Sequence, residues 1–242
     1  MRKTHPGFRS TEELTMNPRL FVPTLMGAMM GLALSASPAL AKKKEPVVAA
    51  PVSLPTAIDT NIAHEPENVL LLDLSDGGRV AIRLMPQWAP AHVARIKELT
   101  QQGFYNGVIF HRVIDGFMAQ TGDPTGTGQS GSKLPDLKAE FNAMPHLRGT
   151  VSMARTNDPD SANSQFFIVF YPRFALDHKY TVFGRVISGM QYVDAIQRGE
   201  PPTNPTRVLQ ASLASQQKTA PPAPISPAAP VSAAALSASK SD

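Results

Sequence analysis

The sequence predicts a domain dominated by β-strands, folded as a closed antiparallel barrel or a sandwich. Short apolar segments recur between residues 69 and 212, and Gly, Pro, Asn and Asp residues separate them. Only two segments show a helical pattern of apolar residues. Many short strands with two helices are typical of a barrel or sandwich. With 242 residues, the chain has room for one such domain and an extension at each end.

The first predicted elements are two strands and a helix. The strands VLLLDL and RVAIRLM begin near Val69 and flank 75–78, which carries a hairpin signal. The helix begins at 88–90, because proline is tolerated in the first helical turn. Gly103 ends the helix. Its apolar residues recur at helical spacing at Val93, Ile96 and Leu99.

Six further strands and a second helix follow. The strands are predicted at 108–110, 117–120, 149–154, 164–170, 180–187 and 207–212. Both faces of SQFFIVF, residues 164–170, carry apolar side chains, so this strand must be covered on both faces. The second helix is predicted from Gly189 to Arg198.

The stretch VIFHRVIDGFMAQTGDPTGTG, residues 108–128, is predicted to hold the functional centre. Residues 115–116, Asp-Gly, form a tight-turn signal between two strands. The glycines of 121–128 allow the backbone to approach another backbone or a ligand. Taken singly, these residues also fit structural roles, such as a rim charge or a hydrogen-bonded histidine at His111. Alternation along the strands brings three side chains together at a sheet surface: Arg112, Phe117 and Met118.

Three segments carry a resemblance to a known family. They are FHRVIDGFMAQTGD within the central stretch, SMARTNDPDSANSQFFIVF at 152–170 and LDHKYTVFGRV at 176–186. In this order they resemble the signatures of the cyclophilins, the cyclosporin-binding peptidyl-prolyl isomerases. The resemblance covers 69–212. It implies a closed eight-stranded antiparallel β-barrel with a helix capping each open end, in agreement with the two helices predicted from the residues.

The implied chemistry is rotation about a prolyl peptide bond, which has a barrier of about 20 kcal/mol and breaks no bond. A catalyst needs an apolar slot for proline and a donor that favours the twisted amide. A guanidinium is suitable because it is always charged and its donors are rigid. By resemblance, the catalytic residues are Arg112, Phe117 and Gln120. The implied substrate-binding residues are Met118, Ala154, Arg155, Gln165, Phe167, Leu176 and Tyr180.

Two of these positions depart from the family pattern. Arg155 replaces an Asn that is common in eukaryotic relatives, and Tyr180 stands where many relatives have His. A third departure concerns the drug. Tightly binding relatives have a Trp immediately before the Leu of the third segment, where this chain has Ala175. Weak cyclosporin binding is therefore expected, unless Phe174 takes the place of the Trp.

Other functions are less well supported by the residues. A serine hydrolase is disfavoured because no G-x-S-x-G motif is present. The six His residues are scattered without an H-x-x-x-H pair, so no metal or other cofactor is expected. The main alternative is a non-catalytic proline-peptide binding module or holdase on the same fold. Retention of Arg112 beside an apolar slot favours the isomerase.

The N-terminal segment predicts export. Residues 1–41 combine basic residues, an apolar run and an A-x-A site ending at Ala41, which is typical of a cleaved signal peptide. An uncleaved anchor is the alternative, and Met16 is an alternative start. Removal of this segment leaves 23 − 4 = 19 basic and 19 − 2 = 17 acidic residues. The low net charge predicts no nucleic-acid partner, and we expect a periplasmic monomer that acts on proline-containing polypeptides and is not inserted in the membrane.

The predicted organisation has four parts. They are a signal peptide at 1–41, a Pro-rich linker at 42–67, the isomerase domain at 68–214 and a disordered Ala/Pro/Ser-rich tail at 215–242. The linker is expected to be extended and mobile. The fragment 68–214 is therefore expected to have full activity and nearly unchanged stability.

Overall fold

The structure is a computed structural model that describes residues 57–222. The predicted signal peptide, residues 42–56 of the predicted linker and residues 223–242 of the predicted tail lie outside the described residues. The described part contains eight strands and two α-helices. In chain order they are β1 Val69–Leu74, β2 Arg79–Leu84, α1 Pro90–Gln101, β3 Arg112–Ile114, β4 Met118–Thr121, β5 Thr150–Met153, β6 Phe166–Val169, β7 Val182–Ser188, α2 Met190–Ala195 and β8 Val208–Leu213.

The eight strands form one sheet in the order β3-β4-β6-β5-β7-β2-β1-β8, and every neighbouring pair is antiparallel. The predicted dominance of antiparallel strands and the pair of helices are confirmed. The predicted closure of the barrel is wrong, because β3 and β8 are the two edges of the sheet and form no ladder with each other. The sheet is an open, curled half-barrel.

The segment 108–110, predicted as a strand, lies where these two edges approach each other. Ile109 forms a single antiparallel bridge with Arg207. The Phe110 N–H donates to the Thr206 carbonyl over 2.9 Å. Pro205 has no N–H to continue the pairing. The contact between the edges is therefore a short bridge and not a ladder.

Cross-strand register separates a core face from an outer face. One row of partners across four strands belongs to the main hydrophobic core: Val113, Ala119, Ile168 and Val151. Neighbouring positions in a strand point to the opposite face. Met118 pairs with Val169 there, and both belong to a separate apolar cluster. The outer face of β3, β4, β6 and β5 thus carries an apolar surface of its own.

The two helices follow the predictions to different extents. α1 contacts β8 and begins at the predicted Pro90, and Gly103, with φ 72°, follows its end. α2 contacts β2 and ends at Ala195, not at the predicted Arg198. It ends early because the backbone at Ile196 is extended, with ψ 131°. The Gln197 N–H then donates to the Thr206 hydroxyl instead of continuing the helix.

Residues 57–67, predicted as part of the linker, contact the sheet around Arg83. The Arg83 side chain is only 4% exposed, and its guanidinium lies 3.8 Å from the Asp59 carboxylate. It also donates to four backbone carbonyls, those of Asp59, Asn61, His64 and Glu65. A buried guanidinium requires such acceptors. In the predicted tail, the Lys218 carbonyl similarly accepts from Arg79. The end of the predicted linker and the beginning of the predicted tail therefore belong to the folded unit.

The fragment 68–214 should retain activity but be less stable than the fragment 57–222. Deletion of 57–67 removes the carbonyls that satisfy the Arg83 guanidinium. We expect the free energy of unfolding to fall by about 1–3 kcal/mol. Urea unfolding of both fragments measures this difference, and Arg83→Gln in both backgrounds should reduce it. Equal stability of the two unsubstituted fragments would show that neither 57–67 nor 215–222 contributes to the stability of the fold.

Candidate active site

Strand register brings three of the predicted catalytic and binding side chains side by side. Arg112 of β3 is opposite Gln120 of β4, and Gln120 is opposite Phe167 of β6. Directly opposed residues in antiparallel strands point to the same face. This is the outer face, because Met118 lies two residues before Gln120. The backbone pairing alone therefore places a guanidinium, an amide and an aromatic ring on one surface.

An open cleft of about 230 Å³ lies on this surface. Its apolar part includes Met118 and Phe167, which are 1% and 5% exposed, and partly buried side chains surround them. Nine of the ten site residues predicted from the sequence line the cleft: Arg112, Phe117, Met118, Gln120, Ala154, Arg155, Phe167, Leu176 and Tyr180. The tenth, Gln165, lines a neighbouring groove of about 600 Å³ that also borders Gln120 and Arg155.

Arg112 lies at the edge of the cleft and is held by Glu200. Its Nε donates to the Glu200 carboxylate over 2.7 Å. The pair is half-exposed, with 40% of the Arg112 and 52% of the Glu200 side chain accessible. Within residues 57–222, neither terminal nitrogen of Arg112 has a hydrogen-bond partner. The guanidinium is thus oriented through one nitrogen, and its other donors remain available to a ligand.

The amide of Gln120 is fixed by a second amide. Gln120 Nε2 donates to Gln165 Oε1 over 2.9 Å. Gln165 Nε2 in turn donates to the carbonyls of Gly128 and Ser130, over 3.1 and 2.7 Å. The Gly-rich loop thereby anchors the two amides. Within residues 57–222, the side-chain oxygen of Gln120, Oε1, has no hydrogen-bond partner and can accept from a peptide N–H.

The Gly-rich loop lies close to the residues just before β6, and glycine at position 122 permits this approach. Gly122 has φ 95°, and a Cβ at this position would collide with the Ser164 carbonyl oxygen. The buried Asp123 carboxylate holds the loop by accepting from Thr125 and Ser130. Burial alone would raise the pKa of Asp123, but these hydrogen bonds outweigh burial and lower its pKa.

A comparison with known protein families agrees with this arrangement of site residues. The sequence pattern described as "Cyclophilin type peptidyl-prolyl cis-trans isomerase/CLD" matches residues 69–213. The chain belongs to the cyclophilin family. Its members are peptidyl-prolyl isomerases. The resemblance to cyclophilins in the three sequence segments is therefore confirmed.

Individual relatives agree with this assignment. A Brucella suis protein named "Probable peptidyl-prolyl cis-trans isomerase" is 47% identical over 178 residues, which cover 67% of this chain and 90% of the relative. Peptidyl-prolyl cis-trans isomerase B of Bacillus subtilis is 41% identical over 129 residues, covering 52% of this chain and 89% of the relative.

Solved cyclophilin structures are similar as well. The crystal structure of cyclophilin AquaCyp293 from Hirschia baltica has a TM-score of 0.58 and 31% identity, covering 62% of this chain and 75% of that one. A Cryptosporidium parvum cyclophilin crystallised in the presence of the dipeptide Ala-Pro has a TM-score of 0.56 and 26% identity, covering 60% of this chain and 98% of that one.

In this cyclophilin, Phe167 packs against a series of three hydrogen-bonded side chains. The His146 ring stacks on Phe167, with centroids 6.2 Å apart. His146 Nδ1 lies 2.7 Å from Asp177, and the Ser152 hydroxyl lies 2.8 Å from His146 Nε2. Burial lowers the pKa of His146, although Asp177 opposes this effect. A neutral imidazole that donates from Nδ1 to Asp177 can accept from the Ser152 hydroxyl at Nε2.

The hydrogen-bonded side chains of Ser152, His146 and Asp177 do not form the catalytic triad of a hydrolase. Ser152 is 0% exposed, so its hydroxyl cannot reach a scissile carbonyl from solvent. Within residues 57–222, no group of His, Asp and Glu side chains is arranged to hold a metal ion. In the same part of the chain, no helix combines the length and the apolar character needed to cross a bilayer.

Arg155 and Tyr180 form one wall of the cyclophilin cleft. The Arg155 guanidinium lies 4.6 Å from the Tyr180 ring centroid. Its Nε and Nη2 both donate to the Lys179 carbonyl. Tyr180 in turn packs edge-on against Phe167, with centroids 5.7 Å apart. The two positions that depart from the family pattern thus contact each other, and each supports the cleft.

Sequence reasoning missed three contributors to this site. Glu200 lies 88 residues after Arg112, in a loop without a recognisable motif. His146 lies before the second signature segment and reaches Phe167 only through the fold. Arg173 lies just before the third signature segment and stacks on Phe117, with its Cζ 5.1 Å from the ring centroid. No local signal identifies Glu200 or His146, whereas the adjacency of Arg173 to the third segment is a signal that could have been used.

Proposed function

We propose that this cyclophilin accelerates rotation about X–Pro bonds in polypeptides, with Arg112 as the group that favours the twisted amide. The position of its guanidinium carries the proposal. It borders an apolar cleft of about 230 Å³, and Glu200 orients it through Nε alone. A proline ring seated on Met118 and Phe167 would bring its amide nitrogen towards the free donors.

The energetic argument depends on how the amide changes during rotation. In the planar ground state, the nitrogen lone pair is delocalised into the carbonyl. In the twisted state it is localised and becomes a hydrogen-bond acceptor, so a guanidinium donor stabilises that state preferentially. Gln120 would hold the peptide backbone through its free carbonyl oxygen. No bond is broken and no net proton moves, so this mechanism requires no nucleophile.

A protease-coupled assay on an Ala-Pro tetrapeptide tests the function with the fragment 57–222. We expect the cis-to-trans rate to increase in proportion to protein concentration. The Ala-Pro sequence is chosen because the related Cryptosporidium parvum cyclophilin was crystallised in the presence of the dipeptide Ala-Pro. A protein that binds the peptide without changing the rate would be the proline-peptide binding module or holdase, and the isomerase mechanism would be rejected.

We also propose that the protein is exported and works as a monomer in a periplasm-like compartment. The support is the basic, apolar and A-x-A pattern of residues 1–41. Proline-containing polypeptides in that compartment would be its partners. Low net charge after cleavage argues against a nucleic-acid partner.

The expected mature N-terminus is Lys42. Expression of the full chain in a Gram-negative host, followed by cell fractionation and intact-mass spectrometry, measures location and cleavage together. Cleavage after Ala41 with periplasmic recovery supports export. An intact N-terminus in the membrane fraction would indicate the uncleaved anchor, and an intact chain in the cytoplasm would contradict export.

A further inference from the structure

Two arginines stack on aromatic side chains that line the cleft. Neither has a role in the proposed mechanism of prolyl bond rotation. Arg155 stacks on Tyr180, with its Cζ 4.6 Å from the ring centroid. Arg173 stacks on Phe117 at 5.1 Å. Each guanidinium is also tied to backbone carbonyls, Arg155 to Lys179 and Thr156 and Arg173 to Gly116. Stacking and these hydrogen bonds hold both positive charges in place.

Within the described part of the chain, neither charge forms an ion pair with a carboxylate. Among residues 57–222, ion pairs include Arg112, Arg148 and Arg198, but neither Arg155 nor Arg173. Five acidic side chains in segments that border the cleft have other partners. Asp115 pairs with Arg198, Asp177 with His146 and Glu200 with Arg112, while Asp158 and Asp160 accept from backbone N–H groups.

The two arginines lie at opposite ends of β6. Arg155 follows Ala154, whose N–H donates to the Gln165 carbonyl just before the strand. Arg173 follows the other end, where the Phe170 N–H donates to the Phe117 carbonyl. The five residue steps from Gln165 to Phe170 span roughly 17 Å at strand geometry. An extended peptide lying parallel to β6 across the cleft, with its proline on Phe167, would pass one guanidinium on each side.

We propose that this cyclophilin selects X–Pro segments that carry acidic side chains on both sides of the proline, about five residues apart. Arg155 is the specificity-determining residue at one end and Arg173 at the other. The proposal rests on the proposed function, since it assumes that the cleft holds proline. Each exposed ion pair is weak, so we expect a preference of about two- to fivefold for each acidic residue at low salt.

Blocked hexapeptides of the form X-Ala-Ala-Pro-Ala-X test the selection, with X as Glu, Gln or Lys. NMR exchange spectroscopy measures the catalysed cis/trans rate, and chemical-shift titration measures binding of the same peptides. We expect the order Glu, Gln, Lys in both measurements, with the differences largely lost in 1 M salt, where the Debye length is about 3 Å. The double variant Arg155→Gln, Arg173→Gln should lose most of the difference between the Glu and Lys peptides.

Single variants and a charge-matched control make the test specific. Two further peptides, Glu-Ala-Ala-Pro-Ala-Gln and Gln-Ala-Ala-Pro-Ala-Glu, carry Glu at one end only. Arg155→Gln and Arg173→Gln should each remove the preference for one of them. Lys218→Gln changes the net charge equally beside Arg79, on the other half of the sheet, and should preserve the preference. Equal rates and affinities for all peptides, or a preference that survives in the double variant, would overturn the proposal. If no peptide is isomerised, the proposed function fails, but the order of affinities still decides the selection.

Discussion

Replacement of Arg112 by alanine should lower kcat/KM by about 10²–10³-fold, the usual effect of removing one donor aimed at a transition state. In the proposed mechanism the donor acts on the twisted amide, so its loss should raise the barrier without emptying the apolar cleft. The fold should persist, because the Arg112–Glu200 pair is half-exposed and exposed pairs contribute at most about 1 kcal/mol. The measurements are the isomerase assay and the thermal midpoint on the same preparation.

Arg148→Ala is a matched control for this substitution. Arg148 also forms an exposed ion pair, with Asp194, and its side chain is 43% accessible. It does not line the cleft, so its removal should leave kcat/KM unchanged. A loss of less than about tenfold in Arg112→Ala, equivalent to about 1.4 kcal/mol, would contradict the assigned role.

Cyclosporin should inhibit this cyclophilin about a hundredfold or more weakly than it inhibits a relative with Trp at the position of Ala175. Alanine supplies neither the indole N–H, worth about 0.5–1.5 kcal/mol, nor the aromatic area, worth a few kcal/mol at ~25 cal/mol per Å². Phe174, the other residue considered for the place of the Trp, is 64% exposed and does not line the cleft. The chain's single Trp, Trp88, is buried in a separate cluster.

Titration of cyclosporin against isomerase activity tests this expectation in two variants. Ala175→Trp should restore strong inhibition. Phe174→Trp adds the same indole one residue away, at an exposed position, and should not. Nanomolar inhibition of the unsubstituted protein, or no gain in Ala175→Trp, would contradict the prediction. Turnover of small prolyl peptides should change little, since Met118 and Phe167 are retained.

The sequence predicted which side chains lie together where local strand register determines their placement. Alternation around the Asp115-Gly116 turn and three ordered segments were sufficient to select nine residues that share one cleft. They were sufficient because Arg112, Gln120 and Phe167 are direct cross-strand partners. Their catalytic and binding roles remain predictions.

What the sequence did not predict depends on long-range contacts. Closure of the barrel was expected from the family, but the edge pairing near Ile109 is limited to one bridge beside Pro205. The segment 57–67 has no apolar period, yet it is ordered by the carbonyl acceptors it provides to Arg83. Glu200 contacts Arg112 across 88 positions. Such polar contacts leave no periodic pattern in the chain.

The most direct test of catalysis by Arg112 is to measure peptide affinity and exchange rate together. NMR titration of an Ala-Pro peptide gives Kd, and exchange spectroscopy at saturation gives the rate on the enzyme, for the unsubstituted fragment and for Arg112→Ala. Stabilisation of the twisted amide alone predicts a Kd that changes by less than about twofold and an on-enzyme rate that falls by about 10²–10³-fold. A Kd that weakens in proportion to kcat/KM, with the on-enzyme rate unchanged, would show that Arg112 only binds the ground state.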